Sequence, residues 1–378
     1  MICPGSSTNV KKLSTVKKIL LASGDNSGLL RSLPLYRRLQ ASTSCEAVIA
    51  GATGPHEEDL SSLFEISDSF ITIAVGEGSV VEKTALALTG FADIMVREKP
   101  DLVIVAGEND ISLAAALASS RLGLPYASLE AGMRSYNRNA PREANRRLID
   151  AAADMMFVSE HSGTYNLISE GSDEERIFFV GNMLIDALAL KIADSNSSAI
   201  IQELGYTSKQ YALVRLECLP AVDTLEAIRK AERLVGVIAA THPVLLQLAP
   251  DVNALIEQHA MLSAFTSIDG VTVRPPAGYV DQLRLIKDAV FILTDTRDMQ
   301  AEATVMKVPC LTMSSDTTSP ASIEIGTNML VGTEEDDILM RIQDALEGKL
   351  AKHAKIPEKW DGAAAQRVVE VLEKVLVG

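Results

Sequence analysis

Short apolar runs alternate along the chain with longer amphipathic stretches. Val16-Lys-Lys-Ile-Leu-Leu-Ala-Ser-Gly24 is a brief apolar run ending in Ser-Gly, the pattern of a buried strand leaving a sheet at its carboxyl edge. Leu29 to Leu39 then has helical spacing. Glu46–Gly51 and Ser69–Ala74 read as strands and Val81–Arg97 as a long helix. Pro100–Gly107 is a strand, Ile111–Leu122 a helix and Pro125–Leu129 another strand. Met155–Val158 and Ile177–Val180 complete a first half. The polar stretch Ala193–Ser198 breaks the pattern, and an inter-domain connection is expected near it. Apolar runs resume at Tyr211–Val214, Val235–Thr241, Val271–Val273, Val290–Leu293 and Val308–Thr312, with helices between them. Gly362–Val377 closes the chain as an amphipathic helix.

Strands alternating with helices predict an α/β protein with right-handed crossovers. Two such series predict two Rossmann-like, doubly wound parallel-sheet domains facing a cleft. The expected spans are 1–190 and 191–361, with a C-terminal helix over 362–378 that packs back on the N-terminal domain. Ligands of open parallel sheets bind outside the carboxyl ends of the strands, so both halves can aim that edge at the same cleft.

Composition sharpens this picture. Aromatic residues make up only 4% of the 378, so Ala, Leu, Ile and Val must build the core, as in sheets covered by helices. A net charge of −15 opposes nucleic acid and anionic membranes. An anionic ligand then needs positive groups gathered inside a cleft. Cys3, Cys45, Cys218 and Cys310 form no CxxC pair, so neither a zinc knuckle nor a redox motif is expected. Reduced thiols in the cytoplasm fit best. Met1–Lys18 is polar and basic without an apolar centre, which argues against a secretory signal, and no run is long enough to span a bilayer. His161 and His242 have no carboxylate or Cys at ligand spacing, so no metal site is expected. Gly24-Asp-Asn-Ser-Gly28 has neither Walker nor GxGxxG spacing. No cofactor is expected.

Polar clusters fall at the predicted strand ends. Gly107-Glu108-Asn109-Asp110 can be read as a helix start, with Asn109 or Asp110 capping and Glu108 near the dipole, or as a site. Glu130 directly follows a strand and precedes Ala-Gly, a placement with no evident structural purpose. Pro141-Arg142-Glu143-Ala-Asn145-Arg146-Arg147 can be a Pro-started helix with a solvated charged face, or part of a site.

In order and spacing these segments, with Val180-Gly-Asn-Met-Leu-Ile-Asp-Ala187, resemble the non-hydrolysing UDP-N-acetylglucosamine 2-epimerase family. Thr294-Asp-Thr-Arg-Asp-Met-Gln-Ala-Glu-Ala303, Lys307-Val-Pro309, Asp316-Thr-Thr318 and Gly326–Thr333 resemble the family's second half. The resemblance runs from about Lys18 to the C-terminus. It implies a GT-B fold, a cytoplasmic homodimer, a UDP-sugar substrate and a place in polysaccharide biosynthesis. It also implies elimination and re-addition of UDP with inversion at C2, chemistry that needs two positioned acid/base groups and donors for the leaving diphosphate.

By that resemblance Glu130, Glu108, Glu143 and Arg146 are the catalytic candidates, Glu108 standing where the family has Asp. Arg31, Glu217, Thr296, Arg297 and Glu302 are the substrate-binding candidates, with Glu302 as the ribose carboxylate. Several positions depart from the pattern. Arg142 replaces the first Glu of Pro-Glu-Glu. Glu217 replaces a His expected near the diphosphate. Thr296-Arg297-Asp298 replaces Ser-Gly-Gly, whose amides approach phosphate at a helix start. Arg31 replaces Lys. Two alternatives stay open: a catalytically silent or regulatory sugar-nucleotide-binding homologue, and a GT-B glycosyltransferase.

Overall fold

A computed structural model describes residues 16–52, 59–138, 140–218, 224–350 and 354–377. Cys3, nearly all of the Met1–Lys18 segment and the end of the 215–223 stretch lie outside these.

The first sheet holds β1 (Lys17–Ser23), β2 (Cys45–Gly51), β3 (Phe70–Thr72), β4 (Leu102–Ala106), β5 (Tyr126–Leu129), β6 (Met155–Val158) and β7 (Ile177–Phe179). The second holds β8 (Ala212–Leu216), β9 (Val244–Leu248), β10 (Val271–Arg274), β11 (Phe291–Thr294), β12 (Cys310–Thr312) and β13 (Asn328–Leu330). Their orders are β3-β2-β1-β4-β5-β6-β7 and β10-β9-β8-β11-β12-β13, and every pairing is parallel. Each order reverses once, between β1 and β4 and between β8 and β11. Loops diverge at such a reversal and leave a crevice at the carboxyl edge.

The pleat explains how so few aromatic residues suffice. On β1, Ile19 and Leu21 enter one core while Leu20 and Ala22 enter the core on the opposite face. β4 divides likewise, Ile104 to one side and Val103 and Val105 to the other. In the second sheet Val214 and Leu213 part in the same way. Strands apolar on both faces are those of a sheet covered twice by helices.

Two sequence expectations need correcting. Val235–Thr241 is not a strand. It lies in the helix Thr224–Ala239 and the turn after it, and the strand comes later, at β9. Leu234, Val235 and Ile238 are buried at helical spacing while Val237 is exposed, so the β-branched run is one face of a helix. His242 therefore follows a helix rather than a strand. β13, three residues long, is not among the predicted strands.

The base of the cleft is shared. The helix Met183–Asn196 packs against the helix Asn26–Gln40 of the first half and against Tyr279–Asp288 and Arg297–Met306 of the second. Tyr279, Leu283, Ala301 and Ala321 join the same core as Leu29, Leu33, Leu184 and Leu188. The C-terminal helix Ala364–Leu372, extended by a π turn over Glu373–Val377, lies on the helix Asn26–Gln40, with Val368 and Leu372 fully buried. Trp360 precedes it, 1% exposed, and its indole N–H donates to the Ser159 carbonyl at 3.1 Å. Among the described residues no helix is long and apolar enough to cross a membrane.

Candidate active site

The carboxyl edge of the first sheet supplies the acids. β4 ends at Ala106, and Gly107 after it, at a φ of 105°, turns the chain so that Glu108 faces the cleft. Asn109 caps the helix Asp110–Leu122 by accepting the Ser112 N–H at 2.9 Å. The capping role thus falls to Asn109 and leaves Glu108 for other work. After β5, Glu130 sits at φ 57°, a left-handed conformation that non-glycine residues adopt at a cost and that gathers at functional sites. Ala131 N–H fixes this turn by donating to the Phe157 carbonyl at 2.9 Å. Gly132 follows at φ 77°, so close to Gly163 that a Cβ would stand 2.2 Å from the Gly163 oxygen. Asp150 accepts the Gly132 N–H at 2.9 Å and the Ser128 hydroxyl at 2.7 Å, and Arg134 grips Asp150 at 2.8 Å.

The helix Pro141–Ala152 starts at its proline, but its charged face is only partly solvated: Arg142 and Arg147 reach solvent while Glu143 is buried. Asn145 is 6% exposed and donates to the Glu108 carbonyl and to Asp110 Oδ1, both at 3.2 Å. Arg146 Nε donates to Glu108 Oε2 at 2.7 Å and its Nη1 to Glu143 Oε2 at 2.7 Å. Glu143 also takes the Ser135 N–H at 2.9 Å, its hydroxyl at 3.0 Å and the Tyr136 N–H at 3.3 Å. Its oxygens are committed to holding this loop.

The second half reaches across from the helix Arg297–Met306, which follows β11. Arg297 Nη1 donates to Glu108 Oε2 at 3.1 Å and Nη2 to Glu130 Oε2 at 3.4 Å. Asp298 accepts from Arg31 Nη2 at 2.5 Å and from the Ser27 hydroxyl at 2.8 Å. Arg31 Nε donates to Glu130 Oε2 at 2.7 Å. Four acids and three arginines thus alternate in one series, Asp298, Arg31, Glu130, Arg297, Glu108, Arg146 and Glu143, and each arginine joins the two carboxylates beside it.

Charge and burial compete at each acid. Burial pushes Glu108 up, but Arg297, Arg146 and Arg142 outweigh it and hold the carboxyl at about 2. At Asp298 burial is likewise overcome, by Arg31 and Arg297, and the carboxyl lies well below its usual range. Asp295 has no such neighbour. Burial raises it to about 6 although the Cys218 and Glu217 N–H groups donate to it. Burial, aided by the charge of Asp298, lifts Glu302 to about 8.

A cavity of about 490 Å³ opens between the halves, lined among others by Glu108, Arg142, Arg146, Asp295, Arg297 and Thr318. Glu130 lies in a small recess beside Glu108, Arg146 and Arg297. The sequence candidates Glu108, Glu130, Arg146, Arg31 and Arg297 are therefore brought together, with Glu143 held against Arg146. Glu217, Thr296 and Glu302 do not line the cavity. Glu217 pairs with Arg215 at 2.5 Å. Thr296 accepts the Thr294 hydroxyl at 3.3 Å, and Glu302 is 3% exposed. Asp298, Asp295 and Arg142 belong to the site but were not among the candidates. An acid in the first turn of a helix reads as a dipole partner, so no local signal separates Asp298 from one. Among the described residues no group of three or more His, Cys, Asp or Glu is placed to hold a metal ion.

Two doubly wound sheets aiming their carboxyl edges at one cleft, with acids on the strand ends, define a two-domain α/β protein of the GT-B type. The chain belongs to the UDP-N-acetylglucosamine 2-epimerase family, whose model matches residues 37–373. It is 28% identical over 370 residues to the UDP-N-acetylglucosamine 2-epimerase of Methanocaldococcus jannaschii, covering 94% of this chain and 98% of that one. The structure of that archaeal enzyme in complex with UDP-GlcNAc and UDP is similar at a TM-score of 0.84 and 26% identity, over 94% of this chain and 99% of that one. The Neisseria meningitidis UDP-GlcNAc 2-epimerase bound to UDP-GlcNAc is similar at a TM-score of 0.86 and 25% identity, over 94% and 100%.

Proposed function

We propose that the chain interconverts UDP-N-acetylglucosamine and UDP-N-acetylmannosamine. One carboxylate takes the C2 proton as the C1–O bond breaks and its electron pair leaves with UDP. The resulting glycal is reprotonated at C2 from the opposite face and UDP adds back at C1. The observation that carries this reading is the placement of Glu108 and Glu130 on the ends of adjacent strands, bridged by the single guanidinium of Arg297. Two proton carriers flanking one point are what two-face proton traffic at a single carbon requires. Arg146 orients Glu108, and Glu143 fixes Arg146. Paired with three arginines, Glu108 is a weak base. A diphosphate drawing Arg297 away from it would raise its basicity when substrate is present.

The same reading covers the assembly and setting. The packed helices Val80–Glu98 and Asp110–Leu122 leave Val81, Leu86, Val96 and Leu117 exposed, which supports a homodimer through this face. Free Cys45, Cys218 and Cys310 support a reducing cytoplasm. Light scattering that gives a monomer mass would remove the dimer.

Proton NMR of the protein with UDP-GlcNAc in D2O tests the reaction. Deuterium entering C2 and the appearance of N-acetylmannosamine signals are expected. Binding without exchange at C2 would sink the epimerase reading.

A further inference from the structure

The positions that depart from the glycine pattern are the ones that cross the cleft. Ser27 and Arg31 stand on the first helix of one half, and Asp298 stands 267 residues beyond Arg31 on a helix of the other. Arg31 is 3% exposed, and its donors are engaged by Glu130, by both Asp298 oxygens and by the Ser27 carbonyl and hydroxyl. A buried guanidinium with a neighbouring hydroxyl is a seat for an oxyanion, and a carboxylate satisfies it with the same fork geometry as a phosphate. Here the protein's own carboxylate sits in it. Two half-buried arginines of the cleft are also shared, Arg297 between Glu108 and Glu130 and Arg146 between Glu108 and Glu143.

An incoming diphosphate finds none of these three arginines free and must approach several carboxylates. It gains Arg31 and Ser27 only if Asp298 leaves. The pairs of Arg31 with Asp298 and of Arg297 with Glu108 and Glu130 also join one half to the other, so breaking them frees the cleft to open. A structural ion pair within one half would have neither consequence.

We infer that Asp298 is a built-in competitor for the diphosphate of the ligand, occupying the Ser27–Arg31 anion seat and clasping the two halves together. The inference rests on the proposed sugar-nucleotide reading for the identity of the ligand, but not for the existence of the clasp. Asp298 thereby sets the affinity for nucleoside diphosphates, and its carboxylate moves toward solvent as the ligand enters.

The test compares the full-length wild type with Asp298→Asn and Asp298→Gly. Calorimetric titration with UDP measures the competition, and small-angle scattering of the unliganded proteins measures the clasp. Both variants are expected to bind UDP at least about tenfold more tightly. The unliganded wild type should be as compact as its UDP-bound form, and the unliganded variants more extended. UDP affinity unchanged or weakened in both folded variants would overturn the inference. So would an extended wild type that compacts on adding UDP. If no protein binds UDP but the variants are extended, the clasp stands and the sugar-nucleotide reading falls. If none binds and none is extended, both fall. Should neither variant fold, wild-type scattering with and without UDP decides by the same criterion.

Discussion

The two walls of the cleft have been built by different rules. On the wall of the first half, Glu108, Glu130, Glu143 and Arg146 are each fixed by strand ends, a left-handed turn or a buried helix face. On the wall of the second half, Arg297 and Asp298 extend across the gap while Glu217, Thr296 and Glu302 are turned to neighbours of their own. The departures from the family pattern fall mainly on the second wall and on Arg142 facing it. The wall that would handle protons is thus held by scaffold. The wall that would hold the nucleotide has exchanged backbone amides for charged side chains. The first edge is held mainly within its own half, whereas the second is held in part across the cleft, through Arg297 and Asp298.

The first wall can be broken most severely through its scaffold. Arg134 is fully buried and bonded to Asp150 and Glu170, each at 2.8 Å, and Asp150 supports the turn that presents Glu130. Arg134→Met leaves Asp150 buried and unpaired, so denaturant unfolding should show a loss of about 3–5 kcal/mol. A loss below about 1 kcal/mol would mean that the turn is held by backbone alone.

The chemistry of that wall comes next. Glu130→Gln keeps shape and hydrogen bonds but removes the proton carrier. Deuterium exchange at C2 should fall at least about a hundredfold, with unfolding still cooperative. Exchange at the wild-type rate would move the acid/base role off this wall.

On the second wall, Glu302 gives a pH signature. Its carboxyl stands at about 8 when folded against an ordinary 4.5. Between those values the folded protein keeps a proton that the unfolded chain has released, so the contribution of Glu302 to stability is full below 4.5 and is lost as pH rises through 8. Glu302→Gln should therefore become the more stable protein at pH 8.5 relative to pH 5, by on the order of a few kcal/mol. Urea midpoints at the two pH values check this, and parallel midpoints would place a compensating cation beside Glu302. The smallest effect belongs to Glu217→His. Resemblance alone places Glu217 at the diphosphate and predicts tighter UDP binding. In the structure it pairs with Arg215 outside the cavity, and UDP affinity should change less than about twofold.

Much of the fold is legible because each strand carries its own signature. Ile19 and Leu21 against Leu20 and Ala22 need no partner to be read as a sheet buried on both faces. The failure at Val235–Thr241 arises where β-branched residues occupy a helix whose burial is decided by β9 and the helix Glu335–Leu346. The site is legible on the first wall, where acids directly follow apolar runs. It is not legible for Asp298, whose meaning depends on Arg31 in the other half, nor for Glu217, whose direction is set by Arg215 two residues away.

The chain passes between the halves twice, outward through the helix Met183–Asn196 and back to Trp360 and the final helix. Two tethers fix an axis, as two pins fix a door. Sliding or shearing of one half over the other would pull Trp360 from its pocket, and losing the packing of so large a side chain costs about 3–5 kcal/mol. Pivoting about the axis leaves it seated. Such a mount favours rotation about the base over sliding, and in that rotation the far rim, where Arg297 and Asp298 meet the opposite wall, would travel farthest.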